Sequence, residues 1–200
     1  TFRAWDQTSG TAGNQADTSI NGDTTAFSSA TDTAHLTVTA VNDAPVNTVP
    51  SAQLINENTT LTFSAANDNL MAIHDLEAGN QPLQVTLTAT AGTLTLSGTS
   101  GLTLTTGDGH DDAQMAFTGT ITDINTALAG LRFQPQTGFS GAASVQIVTH
   151  DQGHSGSGGA LTDSDTIDIT VQAVLFSYPL NVTTVGNGAV TSQPTGIQCG

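Results

Sequence analysis

The stretch LQVTLTAT, residues 83–90, decides how this chain is read. Leu83, Val85, Leu87 and Ala89 alternate with Gln84, Thr86, Thr88 and Thr90. A period of two sends alternate side chains to opposite faces, so the segment reads as a strand buried on one face. The same texture recurs in HLTVTAV (35–41), TLTF (60–63), GTLTLS (92–97), LTLTT (102–106), ASVQIV (143–148) and TIDITVQAV (166–174). Gly-rich punctuation, SGTSG (97–101) and GDG (107–109), divides these runs as hairpins or tight loops. One segment departs from the rhythm, TDINTALAGLRF (122–133). There Asp123 suits a helix N-cap, Leu128 follows Ile124 by four, and Gly130 suits a C-terminal cap, which predicts one short helical turn. Many short strands with one such turn predict an all-β fold, a β-sandwich.

Composition narrows the function classes. The chain has 200 residues, 36% of them hydrophobic and only 4% aromatic, enough for a β core but thin for a large enzyme. Seventeen acidic residues stand against two basic ones, Arg3 and Arg132, for a net charge of −15. Phosphate backbones are bound by Lys and Arg, so nucleic acid is not an expected partner. No apolar run approaches the ~20 residues that span a bilayer, so no membrane insertion is expected. Carboxylates in such excess serve solubility, and a subset of them suits hard cations. Cys199 is the single cysteine, which excludes an internal disulfide. No Gly-x-Ser-x-Gly elbow, P-loop or HExxH occurs, and no catalytic residue is expected.

An internal repeat organises the chain. WDQTSGTAG (5–13) leads to TDTAHLTVTAV (31–41), as HDQGHSGSGG (150–159) leads to SDTIDITVQAV (164–174). Each copy is an Asp-Gln loop followed by a terminal strand, with the longer loop in the first. Residues 1–43 are therefore expected to be the last strands of one repeat, and 44–174 a complete second one. A unit of ~130 residues is an ordinary sandwich domain. Residues 175–200, with GNG (186–188), match neither copy and are expected to open a different β-module. The opening TFRAWD reads as mid-pattern, as expected of a segment of a longer polypeptide.

The motifs AVNDAPV (40–46), INENTTLTF (55–63), IHDLEAGNQPLQVTLTA (73–89), GLTLTTGDG (101–109), TDINTALAGLRFQP (122–135), GFSG (138–141) and HDQGHSGSGGALTDSDTIDITV (150–171) occur in that order. Together they resemble the cadherin-like tandem repeats of giant bacterial surface proteins. The tail at 180–200 is similar, more weakly, to repeats related to the internalin B-repeat. The resemblance implies immunoglobulin-like sandwiches on an extracellular, cell-surface stalk or adhesin, stiffened by calcium at the junctions. Its partners would be neighbouring repeats of the same polypeptide and a cell-surface glycan or protein. A carbohydrate-binding or accessory module of a secreted enzyme is the alternative.

Calcium takes six to eight oxygens in irregular geometry. The Asp-x-Glu spacing of HDLEAG puts Asp75 and Glu77 on one side of an extended loop. By the resemblance, the linker role falls to Asn42 and Asp43, the paired role to Asp75 and Glu77, and the lone role to Asp151. Glu57 matches an early Glu that faces the following domain. Ala40 stands where the family linker has its first Asp, so one ion is the expectation. Turn capping by the same Asx side chains is the bland reading. The His150 and His154 pair around Asp151 suggests zinc only weakly, because the Gly-rich loop is expected to be floppy. At the far junction, apolar Val174, Leu175 and Phe176 are expected to pack on the sandwich end.

Overall fold

The structure is a computed structural model; it describes residues 2–154, 156–175, 186, 190–191 and 198–199. A hairpin comes first, β1 (Phe2–Trp5) with β2 (Phe27–Asp32). After the linker follow β3 (Val46–Thr48), β4 (Gln53–Asn56), β5 (Leu61–Thr62) and β6 (Ala72–His74). Next come β7 (Leu83–Thr90), β8 (Gly92–Thr95), β9 (Thr103–Thr106) and β10 (Gln114–Gly119). Helix α1 (Ile121–Leu128) leads into β11 (Arg132–Pro135), β12 (Gly141–His150) and β13 (Thr162–Gln172). Two short strands, β14 (Val190–Thr191) and β15 (Gln198–Cys199), pair antiparallel near the end.

One layer is a six-stranded sheet in the order β4-β13-β12-β7-β10-β9. Its pairs are antiparallel except β4 with β13, which run parallel. The facing layer holds the sheet β5-β11-β8, the pair β3–β6 and α1. The alternation of LQVTLTAT is obeyed: Leu83, Val85 and Leu87 are fully buried, with half-buried neighbours between them. Val145, Ile147, Ile167 and Ile169 extend that inward face across β12 and β13. Phe63, Met71, Leu94, Ile124, Leu128, Leu131 and Phe133 close the core from the other side. Each such side chain contributes about 1.5–3 kcal/mol on full burial, before conformational entropy is subtracted. The fold is a β-sandwich.

Three local expectations are corrected. The helix makes two turns rather than one, and its N-cap is Thr120, not Asp123. The Thr120 hydroxyl accepts the Asp123 N–H at 3.2 Å and donates to the Asp123 carboxylate at 2.7 Å. Asp123 is thus the third helical residue, and its carboxylate bonds back to the hydroxyl of the N-cap Thr120, an extended residue just after β10. Secondly, HLTVTAV forms no strand. Residues 33–39 join no ladder among the described residues, and Leu36 and Val38 are 90% and 85% exposed. Alternation makes a strand possible, but a ladder partner and a core to cover make it stable. Thirdly, Leu175 is 91% exposed and does not pack on the sandwich end. Phe176 and most of the expected separate module at 175–200 lie outside the described residues.

Candidate functional site

The linker is held first through its backbone. Val41 bridges Ser157 in parallel fashion. The Asn42 N–H donates to the Ser157 carbonyl at 2.9 Å, and the Ser157 N–H donates to the Ala40 carbonyl at 2.9 Å. Gly156 allows that approach. A Cβ there would lie 2.6 Å from the Asn42 nitrogen, and its φ of +75° is one that other residues rarely adopt. At Gly156 the loop after β12 thus comes against the linker backbone.

The side chains then lock this contact. Asn42 is 5% exposed; its Nδ2 donates to Asp151 Oδ2 at 2.5 Å and to the Gly159 carbonyl at 2.9 Å. Asp151 Oδ1 accepts the Gly153 and Leu161 N–H groups at 2.9 and 2.8 Å. Burial pushes the Asp151 carboxyl up, but N–H donors from Asn42, Leu161 and Gly153, with His150 nearby, outweigh it. The net result lies below the usual carboxylate range. A lowered carboxyl stabilises the folded state above its unfolded value, about 3.9, and the benefit fades as pH falls through the folded value. The clasp should therefore hold unchanged from pH 7 to 5 and loosen below about 4. Protease cutting at residues 40–46, measured against pH with an acid-stable protease, checks this; onset of cutting near pH 6 would contradict it.

A second contact lies beside the first. Beyond β6, Asp75 Oδ1 accepts the Glu77 and Ala78 N–H groups at 3.0 and 2.9 Å, an Asx turn. The turn places Glu77 so that its Oε2 accepts the Asp43 N–H at 3.2 Å. The hydrogen bonds thus tie Asn42 to Asp151 and Asp43 to Glu77, with Asp75 shaping the loop that carries Glu77. Glu57 does not join them. It follows β4, where its N–H donates to the Gln172 carbonyl at 2.7 Å and its Oε1 accepts the Val174 N–H at 2.8 Å. Asp151 precedes β13 and Gln172 ends it, and eleven strand residues span roughly 35 Å. Glu57 therefore sits at the far end of the sandwich and holds the outgoing chain.

Sequence reasoning missed a third group. The Asn47 N–H donates to Asp163 Oδ2 at 2.7 Å, and the Thr149 hydroxyl donates to Asn47 Oδ1 at 2.6 Å. Only the register of β3 against β12 and β13 brings these residues together, so no local motif announces them.

Two buried oxygens near the linker, Asn42 Oδ1 and Asp75 Oδ2, have no hydrogen-bond partner, and Asp75 is 7% exposed. Buried acceptors without partners cost about 1–3 kcal/mol each, and oxygen acceptors are what calcium takes. Partnerless oxygens on Asn42 and Asp75 are of the kind that a hard cation would take. Among the described residues, no three His, Cys, Asp or Glu side chains converge as a metal set. Asn42 and backbone carbonyls must therefore complete any shell, a mixture calcium accepts and zinc does not. His150 is occupied otherwise, since its Nδ1 accepts the Gln152 N–H at 2.9 Å. In the GDG loop, Asp112 Oδ2 accepts the Asp108 and Gly109 N–H groups at 3.0 and 2.8 Å, which is turn capping.

A cleft of about 400 Å³ lies away from this junction, along the β1–β2 hairpin beside Trp5, Asp6 and Phe27. Among the described residues no helix is long and apolar enough to cross a membrane. No family model matches the chain. No curated protein matches it. Three solved chains do. One is a cohesin module from a family 33 glycoside hydrolase of Clostridium perfringens, 8% identical, with a TM-score of 0.39. That alignment covers 68% of this chain and 100% of the module.

Proposed function

We propose that the chain is a non-catalytic, calcium-stabilised structural stretch of a bacterial extracellular adhesin or stalk. Residues 44–174 form its complete repeat, 1–43 close the preceding one, and 175–200 open a different module. The observation that carries this reading is the linker clasp, in which Asn42 and Asp43 are tied to Asp151 and Glu77 beside two partnerless buried oxygens. An enzyme surface has no need to fix a linker in that way; a spacer does. The chain also comes in at the Asp151 end and leaves past Glu57 at the other, so the sandwich is threaded lengthwise. The sequence resemblance supports the extracellular setting and the choice of calcium.

Thermal unfolding in millimolar calcium against chelator tests the reading. A ligand bound only by the native state adds about 2.7 kcal/mol at a hundredfold excess over Kd. For a sandwich of this size that is roughly a 10 °C rise in Tm. Asp75→Ala should remove most of the rise, whereas Asp108→Ala, in the GDG turn, should leave it intact. Identical melting with and without calcium would sink the proposal.

A further inference from the structure

The exposed run at 33–40 has a buried counterpart elsewhere in the molecule. The hairpin β1–β2 reproduces β12–β13 at its turn and at its outer pairs. Gln7 and Gln152 both take positive φ, 66° and 62°. The Asp6 N–H donates to the Ala26 carbonyl at 3.1 Å, as the Asp151 N–H does to Leu161 at 3.2 Å. The Thr8 N–H caps Asp6 Oδ1 at 2.9 Å, as the Gly153 N–H caps Asp151. Phe2 pairs with Asp32 and Arg3 with Thr31, matching Ile147 with Asp165 and Val148 with Ser164. A register shift between Arg3 and Trp5 absorbs two extra residues in β2.

Extending that register through TDTAHLTVTAV puts Ala34, Leu36 and Val38 in the places of Ile167, Ile169 and Val171. Those three counterparts are 1%, 1% and 2% exposed, whereas Leu36 and Val38 lie open. Phe2 is likewise 56% exposed where its counterpart Ile147 is fully buried. In the second copy the same backbone is paired on its far side by β4, parallel, with Ile169 opposite Gln53 and Val171 opposite Ile55. Residues 33–41 carry no proline and no interior carboxylate to blunt such an edge.

We infer that residues 34–39 are an acceptor strand, and that their occupant is a sandwich repeat built like residues 44–145, joined ahead of Thr1. Its β4-type strand runs parallel to Leu36–Thr39, and its core covers Phe2, Ala34, Leu36 and Val38. The inference rests on the proposed division at residue 43 but not on calcium. The open hairpin and the cleft beside it are then one half of a sandwich. Once paired, the receiving segment would run directly into Val41, the residue bridged to Ser157, and so connect the two bodies.

The test extends the full chain at its N-terminus with a duplicate of residues 44–145 fused directly to Thr1, in chelator throughout. Hydrogen exchange of amides 34–39 should slow on the order of 1,000-fold relative to the unextended chain, approaching that of 167–172. Leu36→Asp in the extended chain should abolish this protection and leave 44–172 unchanged. A control carries Ala34→Ile and Leu36→Ile, which restores the β13 pattern. Protection of 34–39 in that control alone, or in neither extended chain, overturns the inference. Because no calcium is present, the outcome is independent of the melting experiment.

Discussion

Asp151→Ala is expected to cost the chain about 3 kcal/mol or more, the heaviest loss among single changes at the linker. Its two oxygens accept three N–H donors, from Gly153, Leu161 and Asn42, at a residue only 5% exposed. Removing the carboxylate leaves those donors in a site that water enters poorly, and each unsatisfied donor costs about 1–3 kcal/mol. Asp108→Ala is the contrast. Asp108 is exposed and its Oδ1 accepts only the His110 N–H, so its loss should stay within about 0.5 kcal/mol. Denaturant unfolding of both variants measures the difference. Equal losses would mean that Asp151 is an ordinary turn residue.

Gly156→Ala should do similar damage by another route. A Cβ would meet the Asn42 nitrogen at 2.6 Å and the Val41 carbonyl carbon at 2.7 Å, and neither backbone atom is free to swing away. The alanine must also hold a φ of +75°. The loop has to lift, which breaks both hydrogen bonds between Ser157 and the linker and withdraws Gly159 from Asn42. The expected cost is about 2–3 kcal/mol, together with fast proteolysis at 40–46. Gly158→Ala serves as the control, because its Cβ would meet only Asn42 Cβ, at 4.0 Å, although its φ of +135° adds strain of its own. A Gly156→Ala chain whose linker is cut no faster than the parent would show that the clasp does not depend on this approach.

The sandwich was legible wherever period two met a buried face. LQVTLTAT, ASVQIV and TIDITV lie in β7, β12 and β13 because their alternation matches a sheet wet on one side. QMAFTG was not legible, since Met115, Ala116 and Phe117 are buried in succession and break the period inside a central strand. HLTVTAV shows the converse, a good pattern without a neighbour to pair with. The helix cap was misplaced by one turn because Thr120 and Asp123 both suit the role and the end of β10 decided between them. At the linker, the bond between Asn42 and Asp151 joins residues 109 apart, which no local spacing reveals. The group of Asn47, Thr149 and Asp163 depends wholly on strand register, and Gly156 on a backbone contact between distant loops.

Hydrogen exchange at the two ends of the sandwich, with and without calcium, tests the central claim most directly. The incoming end carries four carboxylates, Asp43, Asp75, Glu77 and Asp151, the last three accepting N–H donors, together with the partnerless Asn42 Oδ1 and Asp75 Oδ2. On the proposed reading, a cation bound there would offset the repulsion between these carboxylates and satisfy the unmet acceptors. The outgoing end offers only Glu57, whose Oε1 already accepts the Val174 N–H. Millimolar calcium should therefore slow exchange at residues 40–46 by tenfold or more, about 1.4 kcal/mol, and leave residues 172–175 unchanged. Equal slowing at both ends, or none at 40–46, would contradict a calcium-tightened linker.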